Sequence, residues 1–279
     1  ARLQWSKSMS DTRTTTGLDA IAAMFDRARS EGRSAFLPYL QVGYPDIESS
    51  LDAVETLAEL DVDGFEIGIP FSDPLADGPT NQEAAHIALQ NGTTVRRCLE
   101  AVSTLRSKGL RQPMLMMGSL NPMLAYGVEA FVLDAKAAGA DGFIIPDLPP
   151  EEAHLFAEAC AREGLALIFF LAPTSNEERI KLVAERANGF IYVVSVTGVT
   201  GARRELPPDL VDYINRLRAH TDVPLVMGFG ISTPEHARQV NKLLDGFIVG
   251  SALIKAIKQG IEPMRELAAN IRQAIEPGG

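Results

Sequence analysis

Among the 36 acidic residues of this 279-residue chain, Glu66 stands in the least hospitable place. It lies inside the apolar run Phe65-Glu66-Ile67-Gly68-Ile69, which has the length and composition of a β-strand. In a parallel strand covered on both faces a glutamate has no solvent-facing side, and glutamate is rarely fully buried without a partner. The sequence offers no identifiable cation for it, so the carboxyl is read as a proton-transfer group. The run continues into Pro70-Phe71-Ser72-Asp73-Pro74-Leu75-Ala76-Asp77-Gly78-Pro79, a long loop stiffened by prolines. Asp-Pro and Asp-Gly are turn signals, and either aspartate alone fits that role. Asp77 gains a second role from sharing its loop with a buried glutamate, because two carboxylates in different environments can divide acid and base work.

Glycines suggest a second kind of chemistry. Gly228-Phe229-Gly230-Ile231 precedes Ser232-Thr233-Pro234-Glu235, a helix start with a capping residue and an early proline, and Gly250-Ser251 precedes another helix. Glycine lets backbone N–H groups approach an anion, and a helix N-terminus adds positive potential, so the two turns suit a phosphate. Between them and the preceding strand, Thr197 to Arg204 form a Gly-rich loop long enough to act as a lid. Schiff-base chemistry needs a lysine at a strand end, yet Lys108, Lys136, Lys181, Lys242, Lys255 and Lys258 fall in helices or helix ends. The four histidines, His86, His154, His220 and His236, are scattered over different helices, where packing or surface roles suffice, and no metal site is expected. Cofactor-free acid–base chemistry on a small phosphate ester remains.

Those groups must be positioned by an alternation of strands and helices. The strands are expected at Ala35 to Gln41, Phe65 to Ile69, Met114 to Leu120, Phe143 to Asp147, Ala166 to Leu171, Phe190 to Val196, Leu225 to Phe229 and Phe247 to Gly250. Between them lie amphipathic helices such as Ser50 to Leu60, with Leu51, Val54, Leu57 and Ala58 on one stripe, and Glu151 to Glu163, with Leu155, Ala159 and Arg162 at helical spacing. A helix at Leu18 to Ser30 precedes the set, and one at Pro263 to Ile275 ends it. Asp63-Gly64-Phe65, Asp141-Gly142-Phe143, Asn188-Gly189-Phe190 and Asp245-Gly246-Phe247 repeat one signal, a glycine stop after a helix and an aromatic opening a strand, at strands 2, 4, 6 and 8. A two-strand unit repeated four times suits a closed α/β (β/α)8 TIM barrel with an extra N-terminal and an extra C-terminal helix. A doubly wound sheet is the alternative, but a dinucleotide-binding Gly-rich turn after the first strand is missing.

Composition bounds the rest. A chain 46% hydrophobic and 22% charged is globular, and one domain over 18–279 is expected, with residues 1–17 an extension outside it and 1–8 a leader or remnant without the apolar core of a secretory signal. No apolar run approaches the ~18 residues of a membrane span. The net charge of −10 opposes nucleic-acid and anionic-membrane partners. Two cysteines, Cys98 and Cys160, have no disulfide or metal spacing and fit a reducing, cytoplasmic setting.

Phe65 to Pro79 closely resembles the signature of tryptophan synthase alpha subunits. Pro146-Asp147-Leu148-Pro149, Tyr192 to Gly201, Gly228 to Ile231 and Gly250-Ser251 agree in order and spacing, and the likeness covers nearly all of residues 18–276. The resemblance implies a lyase that cleaves indole-3-glycerol phosphate to indole and glyceraldehyde 3-phosphate, in an alpha2beta2 heterotetramer whose beta subunit carries pyridoxal phosphate while this chain carries no cofactor. It implies Glu66 and Asp77 as the catalytic pair. Tyr39, Asn81, Met117, Tyr192, Thr200 and Phe229 would line the substrate, with Thr200 pairing with the aspartate from the lid, and Gly201, Gly230, Gly250 and Ser251 would hold the phosphate. A stand-alone lyase, or a related barrel enzyme on another phosphorylated aromatic substrate, is the alternative. Three departures from the family pattern are Asn81 where an apolar residue is usual, Ser119 where a tyrosine is usual, and Tyr44 where many members have an acid before Pro45. An amide beside an aromatic ring must find a partner, either by turning to the loop backbone or by facing a polar substituent; the first is expected. The spacing alone leaves open whether Tyr192 and Glu66 point the same way, because their offsets from the repeat glycine differ by one.

Overall fold

The computed structural model describes residues 15–74, 77–194, 209–228, 230–241 and 243–277. Its elements run α1 (Leu18–Ser30), β1 (Ala35–Gln41), α2 (Ile47–Ala58), β2 (Phe65–Gly68), α3 (Pro79–Gln90), α4 (Val95–Ser107), β3 (Met114–Met117), α5 (Leu120–Tyr126), α6 (Val128–Ala138), β4 (Gly142–Ile144), α7 (His154–Glu163) and β5 (Ala166–Leu171). They continue as α8 (Glu177–Arg186), β6 (Ile191–Val194), α9 (Leu210–Arg218), β7 (Leu225–Gly228), α10 (Pro234–Val240), β8 (Gly246–Val249), α11 (Ser251–Ile257) and α12 (Ile261–Ala274). All eight strands pair in parallel in sequence order and β8 closes on β1, giving the TIM barrel that the alternation predicts. Side-chain caps start several helices: Asp46 accepts from Ser49 N–H at α2, and Thr94, Asn176 and Thr233 do the same at α4, α8 and α10. Glycines in the left-handed region, Gly139 and Gly164, stop α6 and α7.

The repeat has a cause at the bottom of the barrel. Each acidic or amide residue before an even strand accepts the N–H at or near the start of the preceding odd strand. Asp63 Oδ2 takes Phe36 N–H (2.9 Å), Asp141 Oδ2 takes Met114 N–H (2.9 Å), Asn188 Oδ1 takes Leu167 N–H (2.9 Å) and Asp245 Oδ2 takes Leu225 N–H (2.8 Å). Three of the four are also held by arginines, Arg33 on Asp63 (2.6 Å), Arg106 on Asp141 (2.7 Å) and Arg218 on Asp245. Asp63 and Asp141 are buried carboxylates with a cation and a backbone donor, Asp245 is part-buried with the same two partners, and all four residues act as structural clasps rather than reactive groups. Helix α1 closes the same end: Phe25 meets Phe190 edge-on with ring centroids 6.0 Å apart, and Met24 packs where Gly64 leaves room beside Leu37.

Several expected elements move. The third and fourth strands are shorter than the apolar runs suggest, because Leu120 opens α5 and Asp147 leaves the sheet to accept Leu120 N–H (2.8 Å). Of the stripe expected on the helix after β4, Ala159 is buried but Leu155 is 61% exposed and Arg162 is exposed, and the buried face is Phe156, Ala159 and Cys160. A 3-10 turn at Pro150–Glu152 precedes α7, so the helical phase begins three residues later than read from Glu151.

Candidate active site

Register around the barrel decides which side chains face inward together. Tyr39 of β1 stands opposite Glu66 of β2, and Gln41 opposite Gly68. From β1 the pairs Ala35 with Gly246, Gly246 with Val226 and Val226 with Tyr192 carry the same parity to β6, so Tyr192 and Glu66 do share the interior face. The differing offset comes from β6 itself, where Phe190 N–H turns back to Asn188 C=O (2.8 Å) and takes up one extra residue. Two glycines make room for the tyrosines. A Cβ on Gly68 would lie 2.6 Å from the Tyr39 hydroxyl, and one on Gly228 would lie 1.8 Å from the Tyr192 hydroxyl. Tyr192 is further fixed by stacking on Phe170, with ring centroids 4.5 Å apart.

Glu66 is 2% exposed, and its Oε1 has no hydrogen-bond partner among the described residues. Burial, with the nearby charge of Asp77, pushes its carboxyl up to about 8. Asp77 follows β2 in the loop, and burial raises it to about 6 against a hydrogen bond from the Asn81 side chain that lowers it. Two carboxyls are thus held with separated affinities for a proton, Glu66 as the acid and Asp77 as the anion at neutral pH. Asn81, in the first turn of α3, lies beside Asp77 rather than bonding the loop backbone, and the Oδ1 atoms of both residues are buried without a partner among the described residues. The link from this helix to the loop backbone is made instead by Gln82, whose Nε2 donates to Asp77 C=O (3.0 Å), because residue 82 lies one position further round the helix.

A cleft at the C-terminal end of the strands is lined by Tyr39, Ile69, Phe71, Asp77, Met117 and Ser119, so the predicted Tyr39 and Met117 meet Asp77 there, while Glu66 stands across from Tyr39 on β2. Gly250 packs against Tyr39, with room for a Cβ only at 3.4 Å from the ring, and Ser251 is the exposed first residue of α11, whose first-turn N–H groups have no acceptor within the helix. Thr200, Gly201 and Phe229 lie outside the described residues. Two neighbours were not singled out from sequence. His236 is buried with Nδ1 3.1 Å from Gly230 C=O, bracing the glycine turn from α10, and Gln41 bonds the Tyr39 hydroxyl at 2.8 Å. A glutamine ending an apolar strand gives no signal until the tyrosine two residues before it is seen to share its face. No group of three or more metal-ligating side chains occurs among the described residues.

A sequence model of the tryptophan synthase alpha chain family matches residues 25–276. The chain belongs to that family. The tryptophan synthase alpha chain of Roseiflexus castenholzii is 51% identical over 242 residues, which cover 87% of this chain and 93% of the relative, and that of Synechococcus elongatus is 43% identical over 261 residues, covering 93% and 98%. A solved tryptophan synthase from Mycobacterium tuberculosis superposes with a TM-score of 0.86 at 37% identity, covering 95% of this chain and 100% of the other. A structure from Aquifex aeolicus reaches 0.86 at 39% identity, covering 92% and 99%. Tryptophan synthase alpha chains are lyases of tryptophan biosynthesis that cleave indole-3-glycerol phosphate; they carry no cofactor, and pyridoxal phosphate sits on the beta chain.

Proposed function

We propose that Glu66 and Asp77 carry out this cleavage together. Indole leaves poorly as a carbanion, so ring carbon C3 must first gain a proton while the ring nitrogen becomes positive. Protonated Glu66 gives that proton, and ionised Asp77 stabilises the charge at nitrogen. Glu66, now a carboxylate, removes the proton of the adjacent side-chain hydroxyl; the C–C bond breaks, its electrons return to the ring, and indole and glyceraldehyde 3-phosphate are released. The observation that carries this reading is the buried Oε1 of Glu66, without a partner among the described residues, on a carboxyl that burial pushes up to about 8. Tyr39, Met117, Tyr192 and Phe229 wall the ring, Asn81 steers Asp77, and Thr200 closes over the pair. Gly201, Gly230, Gly250 and Ser251 receive the phosphate. Indole release from indole-3-glycerol phosphate, lost in Glu66→Gln, tests it; equal release by both chains would sink it.

The partner of this chain is a tryptophan synthase beta subunit in an alpha2beta2 assembly. Support comes from the solved tryptophan synthase relatives and from two exposed leucines near the cleft face, Leu124 (52%) on α5 after β3 and Leu155 on α7 after β4. Adding the beta subunit should raise the rate of the isolated chain, and an unchanged rate would favour a stand-alone lyase. Residues 18–279 act as one domain. No helix of the described residues is long and apolar enough to cross a membrane, and free, buried Cys98 and Cys160 suit the reducing cytoplasm.

A further inference from the structure

We propose that Gln41 is a positioning residue for the acid–base step: it holds the Tyr39 hydroxyl and so keeps that hydroxyl off Glu66. The inference rests on Glu66 as the proton donor. Tyr39 and Gln41 lie two residues apart on β1 and face the interior together, with Glu66 directly across from Tyr39 on β2. The amide of Gln41 has one possible orientation. Its Nε2 donates to Gly68 C=O at 2.9 Å; a carbonyl can only accept, so the amide must turn its NH2 there, and Oε1 is the atom left toward Tyr39. The phenol hydroxyl donates to that Oε1 at 2.8 Å. This bond holds the hydroxyl against Gln41, and Glu66 Oε1 stands without a partner among the described residues. Gly68 is part of the arrangement, since a Cβ there would press on both the hydroxyl and Gln41 Oε1 at 2.6 and 3.0 Å.

The chemistry gives the bond a purpose. A phenol donating to a carboxylate favours the ionised form, and a glutamate stabilised in that way would lose its proton near neutral pH. Among the described residues the titratable groups facing this space are Tyr39 from β1, Tyr192 from β6 and Asp77 from the loop, with Cys98 of α4 near Tyr39. Burial keeps both tyrosines and the cysteine neutral, so Asp77 is the charge Glu66 feels, and it favours the proton. Register sets Tyr39 directly across from Glu66, and its single donor proton is taken by Gln41.

The test reads Glu66 without turnover. The side-chain carboxyl carbon is followed by 13C NMR in glutamate-labelled protein, assigned by its absence in Glu66→Gln. In Gln41→Leu the freed hydroxyl turns to Glu66 and the midpoint falls by at least about one unit; removing the hydroxyl as well, in Tyr39→Phe with Gln41→Leu, returns it. Gly68 C=O keeps Val42 N–H at 3.2 Å, so the strand pairing survives the change. An unchanged midpoint in Gln41→Leu, or none recovered in the double variant, overturns the proposal. Tyr39→Phe alone gives an independent check should Gln41→Leu fail to fold: the midpoint stays in place, whereas a rise of a unit means the hydroxyl was on Glu66 all along. If Glu66→Gln keeps full indole release, the acid–base role falls instead, whatever these midpoints are.

Discussion

Glu66→Gln should slow this enzyme and stabilise it at the same time, with both effects following from one buried proton. Indole release should fall by at least about 100-fold, the lower end of general acid–base effects. The stability effect comes from linkage. The glutamate holds its proton to about 8 in the fold against an ordinary value of 4.5. A carboxyl raised on folding contributes nothing adverse below the unfolded value, and destabilises progressively as pH climbs from there through the folded value. At pH 7 the unfolded chain gains about 2.5 units of ionisation that the native state is denied, roughly 3 kcal/mol. Glutamine is neutral in both states and escapes this, less whatever its extra N–H costs on burial. Melting temperature of the variant relative to wild type should therefore be higher at pH 7.5 than at pH 4.5, where the advantage disappears. A difference in melting temperature that does not change with pH would refute the burial of the proton, and wild-type turnover would refute its use.

Further outcomes follow from the same site. With Asp77 required as anion and Glu66 as acid, kcat/KM should form a bell that falls as pH drops through about 6 and as it rises through about 8; Asp77→Asn should erase the acid limb and move the alkaline limb below 8, because the charge that raises Glu66 is gone, and an unmoved alkaline limb contradicts this. Asn81→Ile removes the bond that lowers Asp77, so the acid limb should move up and kcat at pH 6.5 should drop several-fold while recovering near pH 8, as stopped-time indole assays across pH would register. Ser251→Asp should raise KM for the phosphate substrate at least about 10-fold by charge repulsion, with a stability change within about 0.5 kcal/mol for a surface helix start; calorimetric binding of glycerol phosphate at wild-type strength would place the phosphate elsewhere.

The legible parts of the fold were those where one local cause suffices. Leu18–Ser30, Ala35–Gln41 and Ala166–Leu171 fall where their hydrophobic period ends at a glycine or a polar turn. The run Met114 to Leu120 misleads because an apolar residue can close a strand or open a helix with equal ease, and Leu120 is held in its helix by Asp147, 27 residues away. Leu155 misleads for a related reason, since a 3-10 turn resets the helical phase where the sequence has no break. In the site, Glu66 was legible because a carboxylate in a buried strand is costly and so needs a reason. Gln41 and His236 are polar groups whose function lies wholly in what they bond across the barrel, Tyr39 and Gly68 for one and Gly230 for the other, and such pairings leave no local trace. The acidic residues of the repeat were visible as punctuation, but their partners sit 20 to 27 residues upstream, beyond the reach of any pattern in a short window.

Those clasps also decide where the chain can be divided. Each one joins an odd strand to the even strand after it, and none joins an even strand to the next odd one, so the barrel is jointed like four hinged pairs standing in a ring. A break between β4 and β5 leaves Asp63 with Phe36 and Asp141 with Met114 on one piece, and Asn188 with Leu167 and Asp245 with Leu225 on the other. A break between β3 and β4 parts Asp141 from both Met114 and Arg106, stranding a buried carboxylate on one fragment and its cation on the other. Two fragments divided at the first place should therefore find each other and regain indole release when mixed, and those divided at the second should not.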